Sequence, residues 1–370
     1  MIRMADVLDK KYDVCMISSR HPLKDHRIFH KETKSLINEL NLNVLILAIS
    51  DKEEIIEGDG YVIYGIKGDQ KEVLGSVWKL FKVLRKVKAK IYHIHDFEDL
   101  ALTPYLKLVK KGKIIYDMHE DYIKMINELD YMSKFKRFIF SNIAKVYEKL
   151  FVHFVHFIVV VVEHHKKKFP KKESYCIHNF PHFRKVKDME KEYEYEFVYC
   201  GTTSEPRGVF DFLDFLKDYN KKTLLILSGR KEEREKVKKI VNEYNLNVII
   251  KEKLPHSKVF KEISKAKIGF VLFHNSPKRN DGISTKLMEY SMCGLPILGT
   301  SFNPFMRKYI RKNALGVAID EINNESILEG YEKILNNYSA FSKNSKEKVK
   351  NYVWDNEKIK LVDLYKKVIK

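Results

Sequence analysis

Asp281, Lys286 and Glu289 fall in the stretch DGISTKLMEYSMCGLPILG, residues 281–299. A polar, glycine-containing loop, Asp281 to Thr285, runs into a helical segment, Lys286 to Met292; past Gly294 comes a strand-type apolar run, Pro296 to Leu298. A loop feeding a helix N-terminus presents backbone N–H groups and the positive end of the dipole. Gly282, Ile283, Ser284, Thr285 and Lys286 are therefore candidates to hold a phosphate. Asp281 and Glu289 are about two helical turns apart, so one carboxylate from the loop and one from the helix can face one cleft. Glu289 sits among apolar residues, where a carboxylate needs hydrogen-bond partners that sugar or ribose hydroxyls would supply. An N-cap Asp and an exposed helical Glu would give the same spacing.

Three further clusters have chemical potential. In YCGTTSEPRG, residues 199–208, Gly201 allows close backbone approach to a diphosphate, Thr202 follows it, and Arg207 can neutralise the charge. The next such loop offers Gly229 and Arg230. HIHDFEDL places His95 and Asp96 just past a strand, and YDMHEDY places His119 and Glu120 past the next one. Such His–acid pairs can bond a sugar hydroxyl or orient an acceptor; structural histidines linking loops are the alternative. SSRHPLKDHRIFHKE offers Arg20, His21 and Arg27 to an acceptor phosphate, with Asp25 beside them. Equally, Asp25 can be an N-cap and Arg27 its exposed neighbour.

The elements that carry these groups alternate. Strand-type runs at Tyr12–Ile17, Val44–Ala48, Ile91–Ile94 and Lys113–Tyr116 are separated by helical patterns near 25–40, 77–87 and 100–109. That order predicts a parallel sheet covered on both faces. The rhythm lapses over 179–191 (NFPHFRKVKDMEK) and then resumes with strands at Phe197–Cys200, Thr223–Leu227, Val248–Ile250, Ile268–Phe273 and Pro296–Leu298. Two doubly wound domains follow, with ligands expected beyond the carboxyl ends of the strands. A length of 370 residues agrees with two cores.

The net charge of +19 implies acidic partners such as phosphorylated substrates, anionic lipid or nucleic acid. The lysines are dispersed and no aromatic-basic recognition motif accompanies them, so no nucleic-acid partner is expected. Cys15, Cys176, Cys200 and Cys293 are far apart and suggest buried free thiols in a reducing cytosol, not a metal site. The apolar run 149–162 is too short to span a bilayer and reads as a helix end followed by a buried strand. Residues 133–149 (SKFKRFIFSNIAKVYEK) mix basic and large apolar side chains, suiting either an anionic membrane surface or an ordinary packed helix.

The chain resembles the family-4 retaining glycosyltransferases, whose E-x7-E segment corresponds to Asp281 and Glu289. The branch with the S-x-P-x-K-L-x-E-Y-M donor helix matches through Lys286, Leu287, Glu289, Tyr290, Gly294 and Pro296. Gly201 with Arg207-Gly208 is similar to the family's G-R-x4-K-G region, with about four residues between the two basic positions and Thr202 at its usual Arg position. The branch also carries H-x-H-D, Y-D-x-H-E and P-x-x-D-x-R-I-F-H-K-E, and Trp354, Glu357, Leu361 and Tyr365 match a closing-helix spacing. The resemblance implies a GT-B fold: two Rossmann-like doubly wound domains facing across a cleft, and a C-terminal helix crossing back to the first. The expected boundaries are 1–185 for acceptor binding, 186–350 for the nucleotide sugar, and 351–370 for the returning helix. It implies transfer of a sugar with retention from a nucleotide diphosphate sugar to a glycan or lipid-linked acceptor. No metal or other cofactor is required, and His119 contacts the donor sugar. A nucleotide-sugar epimerase-like enzyme and a degenerate binding protein are the competing readings. The expected location is the cytoplasm, at the inner face of the membrane if the basic segment engages it.

Overall fold

The computed structural model describes residues 4–129, 131–186, 193–252 and 254–370. The chain divides into two compact units, Met1–Asn179 with Asn356–Lys370, and Phe180–Asp355. It enters the second unit at Phe180, not 186, because Phe180 belongs to the second core, as do Val349 and Val353 near its end. Of the expected link, 187–191 lie outside the described residues.

The first unit is built on β1 (Lys11–Ser18), β2 (Val44–Ser50), β3 (Glu54–Gly58), β4 (Tyr61–Lys67), β5 (Lys88–Ile94), β6 (Lys113–Met118), β7 (Phe157–Val160) and β8 (Glu173–Cys176). Their order in the sheet is β3-β4-β2-β1-β5-β6-β7-β8. Every pairing is parallel except β3 with β4, a hairpin around Gly58-Asp59-Gly60 that the strand-helix alternation did not reveal. Strands such as β2, VLILAIS, are buried almost throughout, because a covered parallel sheet leaves neither face to water. The chain order reverses between β1 and β5. The loops after these two strands therefore flank the topological switch point, where a doubly wound sheet opens a ligand crevice.

The helix expected over 25–40 is not uniform. Ile28–Thr33 is a π-helical turn, and an α-helix continues from Lys34 to Leu40. His30 N–H donates to the Asp25 carbonyl at 3.1 Å and Glu32 N–H to the Arg27 carbonyl at 2.9 Å, both five residues back. The wider turn carries Lys31 and Glu32 inside, beneath a buried Arg27. The C-terminal helix, Trp354–Ile369, buries Leu361, Leu364 and Tyr365 completely. In the first unit Tyr365 Oη lies 2.8 Å from His93 Nδ1, and His178 N–H donates to Glu357 at 2.9 Å.

The second unit has an all-parallel sheet of β9 (Tyr195–Thr202), β10 (Thr223–Ser228), β11 (Val248–Glu252), β12 (Ala266–Val271), β13 (Ile297–Thr300) and β14 (Gly316–Ile319). The order is β11-β10-β9-β12-β13-β14, with its switch point between β9 and β12. Helices 209–218, 231–243 and 285–292 bury their apolar faces against it. Tyr290 spans the switch point: its hydroxyl accepts from Cys200 N–H at 2.9 Å and donates to the Phe270 carbonyl at 3.4 Å. A Cβ on Gly269 would lie 2.4 Å from the Tyr290 ring, so that strand position needs glycine.

Candidate functional site

In the first unit the loops after β1, β5 and β6 meet in one network. Asp96 accepts from Ser18 Oγ at 2.7 Å, Ser19 N–H at 2.8 Å and Arg20 N–H at 3.0 Å. Its other oxygen lies 3.0 Å from His21 Nδ1. Burial alone would raise the Asp96 carboxyl, but His21 and these donors hold it below its ordinary range. Asp99 takes Ser19 N–H at 2.9 Å and is raised by burial and by neighbouring Asp96 and Glu98. Arg20 pairs with Glu98. Asp25 accepts from Arg27 N–H at 2.7 Å and Ile28 N–H at 3.0 Å, the work of a cap.

Beneath the loops Arg27 grips Asp117 with two bonds, Nε to Oδ2 at 2.7 Å and Nη2 to Oδ1 at 3.1 Å, and Nη1 donates to the Ile177 carbonyl. Burial would raise Asp117, yet Arg27 and His119 hold it well below the usual carboxylate range. Glu32, 2.9 Å from Arg27 Nε, goes the other way: burial, with Asp117 nearby, raises it well above. The two carboxyls are thus pushed in opposite directions, Asp117 down and Glu32 up. His95 Nδ1 lies 3.2 Å from His119 Nε2, and the His21 and His119 rings are 4.7 Å apart. Burial pulls His95 well below its ordinary pKa and His93 down to about 3, so both rings are neutral near pH 7.

This geometry sorts the residues expected to touch an acceptor. Arg20, His21, His119 and Glu120 reach solvent. Arg27, His95 and Asp96 do not, being only 2%, 2% and 6% exposed. Arg27 is therefore not the exposed neighbour of a cap, and all three are bonded within the loop network. Asp117, Glu32, Asp99 and Ser18 were missed as members of the network. Asp117 had a signal, since it stands inside the same YDMHE run as His119.

The second unit gathers its candidates around the β9/β12 switch point. Glu289 is 2% exposed, and its Oε2 lies 2.5 Å from Lys286 Nζ. Burial pulls the Lys286 ammonium down, but Cys200 and Glu289 more than offset it and its pKa is raised. Burial pushes the Cys200 thiol up to about 11, so it is neutral near pH 7, and the carboxylate partner of Lys286 is Glu289. Ser284 caps helix 285–292 by position only; its side chain makes no capping bond to the first turn. Asp281 ends a short helix, Pro277–Asp281, instead of lying in a loop. The Gly282 carbonyl accepts from Asn303 Nδ2 at 2.7 Å, which ties this segment to the loop after β13.

Arg207 lies in the loop after β9, its guanidinium 5.5 Å from the centre of the Phe273 ring. Gly208 follows with φ of +70°, and a Cβ there would lie 1.9 Å from the Leu272 carbonyl oxygen. Only glycine fits this passage from loop to helix. The Thr202 carbonyl accepts from Tyr199 Oη at 2.8 Å. Thr203 N–H donates to the Ser228 carbonyl at 3.1 Å, joining the loop after β9 to the one that holds Gly229, at φ +99°, and exposed Arg230. A basic group on each side of the switch point, beside an uncapped helix start and a buried carboxylate, suits an anion that also carries hydroxyls.

Residues 182–352, which lie within the second unit, match the family described as glycosyl transferases group 1. Among curated proteins none matches the sequence. Solved structures match along almost the whole chain. Sucrose-phosphate synthase from Thermosynechococcus elongatus does so with a TM-score of 0.77 at 13% identity, covering 96% of this chain and 99% of that one. Anabaena HepE, solved in complex with UDP, gives 0.70 at 8%, covering 96% and 100%. An alpha,alpha-trehalose-phosphate synthase (UDP-forming) from Burkholderia vietnamiensis gives 0.68 at 11%, covering 97% and 98%. The fold is that of GT-B glycosyltransferases.

Proposed function

We propose that this chain, whose second unit matches the glycosyl transferases group 1 family, transfers a sugar with retention from a nucleotide diphosphate sugar to a glycan or lipid-linked acceptor. The observation that carries this reading is the pairing of half-buried Lys286 with buried Glu289 at the start of helix 285–292, beside the β9/β12 switch point. Glu289 accepts ribose hydroxyls, and Lys286, Arg207 and the N–H groups of residues 282–285 hold the diphosphate. Neighbours of the same fold support the donor class: one was solved with UDP and another with UDP-2-fluoro glucose.

In the reaction the bond from the anomeric carbon to the leaving diphosphate breaks, and a bond to the acceptor oxygen forms on the same face. The acceptor proton passes to the leaving phosphate oxygen, so no side-chain nucleophile is needed. Catalysis rests on stabilising charge as it develops on the diphosphate, through Arg207, Lys286 and the helix dipole. Arg20, His21 and Glu120 serve the acceptor, and His119 meets sugar hydroxyls.

Thermal melting against UDP-, GDP-, dTDP- and ADP-sugars, with Glu289→Ala as control, tests the reading. A donor at ~100 times its Kd adds roughly 2.7 kcal/mol, a shift of several degrees. A shift with one nucleotide family, absent from the variant, is the expected result. No shift with any of them would overturn it.

A further inference from the structure

Helix Lys134–Val152 is apolar on two opposite faces. Its inner face packs on the first unit, burying Ser141, Ala144 and Val152. On the outside, Phe135, Phe138, Ile143, Val146 and Leu150 are between 57% and 72% exposed. At helical spacing these five fall within an arc of roughly 140°. A continuous exposed stripe of that kind marks an interaction surface. Lys134, Lys136 and Lys145 border it, Lys149 projects from within it, and the one acid of the helix, Glu148, is buried 3.3 Å from Lys168. The rim is therefore cationic, with no anion to meet a basic partner.

Beside the helix is a cavity of about 690 Å³, walled by Val77, Trp78, Phe81, Ile126, Phe140 and Ile143 among others. Ile143 belongs both to the cavity and to the outer stripe, so the two are continuous. Among the described residues Glu98 is the one charged group in the wall, and it pairs with Arg20 of the candidate acceptor loop. The apolar cavity thus ends at the place proposed for the acceptor's polar part.

We propose that the acceptor is a membrane lipid: the 134–152 stripe lies on an anionic bilayer, the cavity takes part of the lipid's hydrocarbon chain, and its polar head sits at Arg20 and His119. This rests on the transferase reading above. The charge and the geometry agree with it. An apolar stripe with a lysine rim inserts among acyl chains while the ammonium groups meet anionic headgroups. No described helix is long and apolar enough to cross a membrane, so the contact is interfacial.

Trp78 lines the cavity and is 56% exposed, whereas Trp354, the other tryptophan, is fully buried. Fluorescence that responds to lipid is therefore Trp78 fluorescence. The full chain is mixed with vesicles of phosphatidylcholine alone, of phosphatidylcholine with phosphatidylglycerol, and of the latter carrying brominated acyl chains. Expected are sedimentation with the anionic vesicles at least about tenfold stronger than with the neutral ones, a blue shift, and quenching by bromine that Trp78→Phe abolishes. Val146→Asp and Phe138→Asp, at exposed positions, should each weaken vesicle binding about tenfold or more with melting unchanged. Absence of vesicle binding, or binding indifferent to Val146→Asp, overturns the proposal. Binding without bromine quenching overturns the cavity's role. A dimer that Val146→Asp disperses assigns the stripe to a second copy and overturns it too. The nucleotide-sugar melting shift, measured without lipid, keeps the two readings apart: a shift with no vesicle binding removes only the lipid, whereas vesicle binding with no shift removes the transferase and with it the lipid's role as acceptor, leaving a membrane-binding surface.

Discussion

At 2% exposure Glu289 is charged at a place where a lone carboxylate would be costly, and Lys286 is what makes it tolerable. If the donor binds as proposed, stability and donor binding share one pair of side chains, and a loss of donor response in a single variant has two explanations. Glu289→Gln should lower stability by about 1–3 kcal/mol, because the half-buried ammonium loses its anion, and should abolish the nucleotide-sugar shift. Adding Lys286→Met removes the orphaned charge, so the double variant should recover most of the stability and none of the donor response. Chemical denaturation with and without donor checks both. Recovery of the donor shift in the double variant would show that Glu289 acts through folding alone. The same separation of roles runs through the first unit. Spacing named His95 and Asp96, past a strand, and Arg27, at a helix start, as candidates, but it does not say how deep each of them lies. Depth is set by the loop network, which a linear reading does not contain. For His119 and Glu120 the strand end alone was enough to place them at solvent.

At the scale of elements, the parallel strands were legible because burial on both faces writes them as unbroken apolar runs, as in β2 and β10. The hairpin of β3 and β4 was not, since its edge strand is only half-buried and has no such run. The π-helical turn was also hidden. Asp25 to Leu40 keeps helical apolar spacing, and the extra residue is absorbed where Arg27 and Glu32 turn inward. Gly208 shows an element set by a single atom. Its φ of +70° is left-handed, and any Cβ would collide with the Leu272 carbonyl. Gly208→Ala should therefore cost roughly 2 kcal/mol or more, since both the backbone conformation and the space exclude a side chain. The loop after β9 would have to move, and Arg207 with it. Donor affinity should fall together with the melting temperature, measured by titration calorimetry and thermal scanning. A variant with native stability and native affinity would mean that the loop has another way round.

At the scale of the whole molecule, each unit has its own core, and the acid-sensitive groups are concentrated in the first. Burial lowers His93 to about 3 and His156 to about 4, with His95 well below its usual value. Glu32 and Asp99, raised by burial, tilt stability the opposite way as pH rises. The net slope is thus a difference between opposing groups, and one histidine is best isolated by comparing two proteins. The His93 pKa is depressed, so below pH ~6.5 the unfolded chain binds a proton that the folded ring refuses. The stability linked to its neutrality is present above that pH and is lost as pH falls towards about 3. His93→Asn removes the term while leaving the groups around it. Whatever the variant loses at pH 7 through Tyr365, the gap between wild type and variant should narrow by about 1.4 kcal/mol per pH unit, or roughly 2 kcal/mol between pH 6.5 and pH 5. The narrowing should appear in the transition of the first unit. The transition that a nucleotide sugar raises, belonging to the second, should stay unchanged. Calorimetric scans of both proteins at the two pH values measure it. A constant gap would mean that His93 takes up its proton in the folded state, and the neutral stack of His93 on His95 would have to be abandoned.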